Sequence, residues 1–172
     1  SGVQPVPISV NISRVHLTDE KFIDVLDRLI EKYDIPKNMI ETEITETVEN
    51  AGDSEVIKRL KERGYMLLMD DFGSGYSSLN MLKSTPFDVI KIDRDFFSEF
   101  MLSDRGKKII SHTISMSKDI GLDMVAEGVE TKEQAEFLKN CGCDVAQGYY
   151  YSKPVPINDF ERLVYDDWIA TD

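Results

Sequence analysis

Met66-Leu67-Leu68-Met69-Asp70-Asp71-Phe72-Gly73-Ser74-Gly75-Tyr76-Ser77-Ser78-Leu79 is an apolar run that stops at two adjacent carboxylates and a glycine-hinged loop. The run reads as a buried strand. Two neighbouring acids at the end of such a strand repel each other and lose solvation, so cations are their natural company. Taken alone, the same letters also fit a solvated strand end followed by an N-cap serine, Ser77 or Ser78, that opens a helix.

The pattern recurs along the chain, and the recurrence decides the fold. Short apolar or β-branched runs at 8–11, 40–45, 65–70, 89–93, 123–127 and 145–148 read as strands. Longer periodic segments near 19–32, 54–63, 77–83, 104–120, 132–140 and 157–169 read as helices. Nearly every strand ends on a polar residue: Asn11, then Glu43 with Glu46, Asp70 with Asp71, Lys91 with Asp93, Glu127 and Gln147. Parallel βα architectures gather their strand C-termini on one face, where the active site is built. Period two places Lys91 and Asp93 on one face of their strand, and Glu41, Glu43 and Thr45 on one face of theirs. Lys91 among these acids fits a structural ion pair as well as a residue that orients a water.

The expected architecture is α/β, a TIM-barrel-like (βα) barrel. A closed eight-unit barrel takes ~250 residues, so the 172 residues here hold about six of eight βα units. The absent units are expected on the N-terminal side, because a strand begins almost at once and a helix follows the last strand. Residues 1–172 then form a single incomplete domain with two unpaired sheet edges.

Composition narrows the function. The formal net charge is −12, from 32 acidic and 20 basic residues, which disfavours a nucleic acid polymer as partner. A small phosphodiester remains compatible if metal ions supply the positive charge. Asp, Glu and Asn donors with only two histidines, His16 and His112, select Mg²⁺ or Mn²⁺ over Zn²⁺. No apolar run approaches the ~20 residues that cross a bilayer, so no direct membrane contact is expected. Cys141 and Cys143 match no zinc or redox spacing and read as reduced packing residues of a cytoplasmic protein. Tyr149, with Tyr150 and Tyr151, follows Gln147-Gly148 at a strand end, where a ring is placed to stack on a flat ligand.

Together these motifs resemble the EAL-type cyclic di-GMP phosphodiesterases of bacteria. The resemblance spans essentially the whole chain. It is carried by Asn11-Ile12-Ser13, Glu43-Ile44-Thr45-Glu46, Asp70 to Leu79, Lys91-Ile92-Asp93, Ala126-Glu127-Gly128-Val129-Glu130-Thr131 and Gln147-Gly148-Tyr149. Each motif is weak singly; in this order and spacing they are specific.

The resemblance implies hydrolysis of cyclic di-GMP to linear pGpG at a two-metal site holding Mg²⁺ or Mn²⁺. Asn11, Glu43 and Asp70 correspond to ligands of one ion, and Asp70, Asp71 and Glu127 to ligands of the second. Lys91 corresponds to the residue that contacts the attacking water, so Lys91, Glu127 and Asp70 form the implied catalytic set. Glu46 corresponds to an acid bracing the loop after Asp71, which includes Phe72, Gly73, Ser74 and Gly75. Glu130, Gln147 and Asp93 fall in supporting positions near substrate. The segment from Phe72 to Leu79 is similar to the one that couples metal occupancy to dimerisation in the family, which implies a homodimer. Family members often carry sensory or diguanylate cyclase domains upstream. The Glu-Ala-Leu tripeptide that names the family, whose Glu also binds the first metal, is not found in these 172 residues, nor is the arginine that follows it. The first site is therefore expected to be one ligand short, and the chain by itself weakly active or inactive. Two other classes fit parts of the pattern: a receptor or dimerisation module that binds cyclic di-GMP without cutting it, and an enolase-like proton-abstracting barrel.

Overall fold

The computed structural model describes residues 6–19, 21–45, 55–74 and 78–164. Six parallel strands, β1 (Ile8–Asn11), β2 (Ile40–Thr45), β3 (Met66–Phe72), β4 (Val89–Ile92), β5 (Asp123–Ala126) and β6 (Val145–Ala146), pair in sequence order into one sheet. The sheet is a curled half-barrel of an α/β, TIM-barrel-like fold. Between and after the strands run α1 (Arg14–Thr18), α2 (Phe22–Tyr33), α3 (Glu55–Glu62), α4 (Ser78–Ser84), α5 (Arg94–Met101), α6 (Asp104–Asp119), α7 (Lys132–Cys141) and α8 (Ile157–Arg162).

Strand alternation sorts side chains between two faces. Ile44, Leu67, Met69, Ile90, Ile92, Met124 and Ala126 join the core that Ile23, Ile57, Leu60, Phe97, Ile110, Ile114 and Leu138 of the helices complete. Each such aliphatic side chain contributes about 2 kcal/mol through burial. The opposite parity, Glu43, Leu68, Asp70, Val89 and Lys91, lines the inner face. β3 and β4 are apolar except where the inner face ends, whereas β2 sets Glu and Thr between its two isoleucines. The sheet edges behave as expected for an unclosed barrel: Ile8 and Val10 of β1 and Val145 of β6 remain exposed.

The helices obey local rules. Thr131 caps α7 in a reciprocal capping box with Gln134, and Gly142 ends it in the left-handed region. Ser103 caps α6 through the Gly106 N–H.

Several expectations are corrected. The helix expected over 19–32 begins at Phe22 and is preceded by the separate α1. Phe72 is the last residue of β3, buried, rather than part of the loop. The strands expected to end at Asp93, Glu127 and Gly148 stop at Ile92, Ala126 and Ala146. Helix α5 is not among the expected helices; Asp93 is its N-cap, accepting from the N–H groups of Asp95 and Phe96 at 3.0 and 2.9 Å.

Candidate active site

The inner face closes at the C-terminal ends of the strands around one ammonium group. Lys91 Nζ lies 2.7 Å from Glu127 Oε1, 2.8 Å from Glu43 Oε1 and 3.1 Å from Asp70 Oδ1. Lys91 and Glu43 are 7% and 5% exposed, so this meeting of three acids and one base is largely out of water. Register delivers the side chains: Asn11 is paired with Glu43, Glu43 with Leu68, and Lys91 with Val125, two residues before Glu127.

Alternation alone would send Asp71 to the opposite face from Asp70. The β3–β4 ladder prevents this, because Met69 pairs with Ile90 but Phe72 with Ile92, so Asp70 and Asp71 together oppose Lys91. This is a β-bulge, and Asp71 sits in the left-handed region with φ 59°, which Asp tolerates better than most residues. Its carboxyl consequently lies in the field of the same cluster. Burial, followed by the charges of Asp70, Asp93 and Glu127, pushes the Asp71 carboxyl above the usual carboxylate range, with Lys91 offsetting part of the effect. For Lys91, burial acts to lower the pKa. Hydrogen bonds to Glu127 and Glu43 and the charge of Asp70 outweigh it, so the amine stays protonated well above neutral pH.

The other described residues expected in the site lie at or just beyond strand ends. Asn11 is exposed at the end of β1, beside Glu43, whose backbone carbonyl accepts from the Ile12 N–H at 2.8 Å. Asp93 caps α5 at the edge of the cluster. Gly73 and Ser74 follow Asp71 in a turn closed by the Ser74 N–H donating to the Asp71 carbonyl at 3.1 Å. Gln147 is exposed, but its backbone is stapled to the loop after Glu127 by the Val129 N–H at 3.0 Å. Gly148 makes that staple possible, since a Cβ there would collide with the Val129 backbone. Glu130 is exposed and its backbone N–H donates to Gln134 Oε1 at 2.8 Å. Tyr149 is 60% exposed, with Lys153 Nζ 5.5 Å from its ring centre, and it lines a cleft of about 780 Å³ with Gln147, Tyr151, Pro154 and Phe160. Glu46 and Gly75 lie outside the described residues. His16 pairs with Ser13 and stacks on Phe22. Cys141 and Cys143 are free, and burial first of all pushes the Cys143 thiol up to about 11, which suits an inert packing residue.

Among the described residues no three acids form a ready metal cage; the carboxylates turn toward Lys91 instead. The donor set nevertheless fits hard cations. Glu43, Asp70, Asp71 and Glu127 bring four carboxylates against one ammonium, and the proton affinity of Asp71 registers the negative excess.

Sequence reading missed α5 and the bulge. The helix had a local signal: Asp93 as N-cap, Asp95 in the first turn, and apolar Phe96, Phe97, Phe100 and Met101 at helical spacing. The bulge had none, because it is defined by pairing with β4.

The sequence profile described as "EAL domain" matches residues 2–154. A curated relative named "Probable cyclic di-GMP phosphodiesterase PdeB", from Escherichia coli K12, is 38% identical over 90% of this chain and 30% of its own length. The crystal structure of the EAL domain of Mycobacterium smegmatis DcpA superposes with TM-score 0.86 and 33% identity, covering 93% of this chain and 73% of that one. Klebsiella pneumoniae BlrP1, solved as a manganese and cyclic di-GMP complex, superposes with TM-score 0.78 and 27% identity, over 86% and 39% of the two chains. The chain spans about a fifth to two fifths of the length of the first curated relatives it matches.

Proposed function

Because the chain belongs to the EAL domain family, we propose that it carries the acid-rich half of a site that hydrolyses one phosphodiester bond of cyclic di-GMP, giving linear pGpG. The observation that carries this reading is the convergence of Glu43, Asp70 and Glu127 on Lys91 at the strand C-termini, with Asp71 turned to the same side by a bulge. A structural ion pair needs one acid per base. Four carboxylates around one ammonium are an arrangement for holding further cations.

Asn11, Glu43 and Asp70 would hold one Mg²⁺ or Mn²⁺ ion, and Asp70, Asp71 and Glu127 a second. Such ions, when bound, polarise phosphoryl oxygens and lower the pKa of a nearby water. Lys91 is an ammonium across the neutral range and acts as a hydrogen-bond donor and positive charge, not as a base. Its role is to hold the attacking oxygen and to offset charge that grows on the phosphoryl group. Gln147 supplies an amide at the neighbouring strand end, and Tyr149 an exposed ring beside it for a purine face. In the same reading Glu46 braces the loop after Asp71, and Glu130 is the second acid beyond the end of β5.

The same reading includes a homodimer built through the segment from Phe72 to Leu79. Leu79 is 64% exposed on α4, beside an apolar cleft lined by Leu82, Pro86, Phe87, Met116 and Ile120. Among the described residues no helix is long and apolar enough to cross a membrane, and the unpaired cysteines fit a cytoplasmic domain.

The test is turnover of cyclic di-GMP by the full-length protein in Mn²⁺, followed by chromatography of the product. Asp70→Ala and Lys91→Ala are each expected to abolish pGpG formation; unchanged turnover in either rejects the assigned roles. A second reading, binding without hydrolysis, is favoured by the ion pairs that already engage the acids with Lys91. Tight nucleotide binding in chelator, with no cleavage when Mn²⁺ is restored, would select it.

A further inference from the structure

The end of β3, which bears Asp70 and Asp71, and the loop that bears Glu127 are seated on a single helical turn. Gly73, two residues past Asp71, has φ +99°, and a Cβ there would lie 2.6 Å from the Phe96 ring. Gly128, next to Glu127, has φ +70°, and a Cβ there would collide with the aliphatic stem of Arg94. Arg94 and Phe96 belong to the first turn of α5, which Asp93 caps with two hydrogen bonds. Phe96 is in turn backed by Phe100, with ring centres 4.2 Å apart. Each glycine therefore meets a helix side chain at a distance that leaves no room for even a methyl group.

We propose that Phe96 and Arg94 are positioning residues: the first turn of α5 is a wedge that fixes the end of β3 and its Gly73 turn against the Glu127–Gly128 loop, and so sets the spacing of the carboxylates around Lys91. Neither residue touches Lys91. Phe96 acts through the Gly73 turn. Arg94 acts through its carbon stem, since its guanidinium is directed to Asp95 at 3.0 Å. The inference rests on the metal-binding reading above only for its consequence in metal affinity; the wedge itself rests on the packing of Gly73 and Gly128 against α5.

The experiment compares Phe96→Ala, Arg94→Ala, Arg94→Lys and, as a core reference on α6, Ile114→Ala. In chelator, amide hydrogen exchange is followed at Ser74 and Val129, whose N–H groups donate to Asp71 and Gln147. Phe96→Ala is expected to accelerate exchange at Ser74, and Arg94→Ala at Val129, each beyond the global change that Ile114→Ala produces. Mn²⁺ affinity by calorimetry is then expected to fall about tenfold in both alanine variants, the scale of lost ligand support. Arg94→Lys keeps the stem and is expected to match the unaltered protein in both readouts. Unchanged exchange at both amides overturns the wedge whatever the metal does, as does an Arg94→Lys variant as weak as Arg94→Ala. Failure of the unaltered protein to bind Mn²⁺, with the exchange pattern as expected, rejects the metal reading and leaves the wedge standing.

Discussion

Two buried carboxylate clusters occupy opposite ends of the same sheet, and they are built in opposite proportions. At the N-terminal end, Asp27 of α2 is a single acid held by Tyr65 Oη at 2.7 Å, Lys37 Nζ at 3.1 Å and the Arg63 guanidinium. At the C-terminal end, Lys91 is a single base held by three acids with a fourth nearby. Burial acts to raise the Asp27 carboxyl, but the Tyr65 hydroxyl, Lys37 and Arg63 together bring it below the usual range. Asp71 moves the other way. The first cluster is satisfied by the chain itself and ties α2 to the start of β3. The second carries more negative charge than Lys91 neutralises, and the proposed metal site rests on that imbalance.

The largest expected effect tests the staple. Asp27→Ala leaves two cations and a buried phenol without their acid and should cost about 3 kcal/mol or more. For a chain of this length that is roughly 6–12 °C in Tm, and Mn²⁺ should restore none of it. Thermal melts in chelator and in Mn²⁺ check both statements.

Lys91→Ala should also cost about 3 kcal/mol in chelator, because it leaves buried acids unpaired. Here Mn²⁺ should return much of the lost Tm, as added cations replace the ammonium. Equal behaviour of the Asp27 and Lys91 variants toward Mn²⁺ would erase the contrast between the two ends.

A smaller effect with the opposite sign is expected at Asp71. Asn tolerates the left-handed backbone and removes the charge, so Asp71→Asn should raise Tm in chelator by a few degrees and weaken the further rise that Mn²⁺ gives the unaltered protein. A lower Tm in chelator would contradict the placement of Asp71 in a negative field.

The pH profile separates the clusters most finely. Asp27 has a lowered folded pKa, so its contribution is present above the ordinary carboxylate range and is lost as pH falls through the folded value. Asp71 has a raised folded pKa, so the folded state binds the extra proton, and stability rises as pH falls from that value toward about 4. In metal-free melts between pH 8 and 3, Asp71→Asn should remove the gain and Asp27→Asn should flatten the later loss.

The contrast also explains what could be read from the letters. Val89–Ile92 was readable because burial on both faces makes it a nearly continuous run, and Ile40–Thr45 because its isoleucines and threonines are β-branched; the polar residues in and after these strands gave the inner cluster. The strand was carried one residue too far, to Asp93, because a polar residue after an apolar strand looks the same whether it continues the strand or caps the next helix. The alignment of Asp71 with Asp70 was unreadable in principle, since it depends on how β3 slips against β4. The Asp27 cluster went unnoticed because its four members come from three separate segments and none stands out alone.

The most direct test of the central claim is anomalous diffraction from crystals of this chain grown in Mn²⁺. The account predicts manganese peaks bounded by the carboxylates of Glu43, Asp70, Asp71 and Glu127, with at least one of these acids released from Lys91. Saturating Mn²⁺ with no peak there, and Lys91 still paired with all three acids, would contradict it.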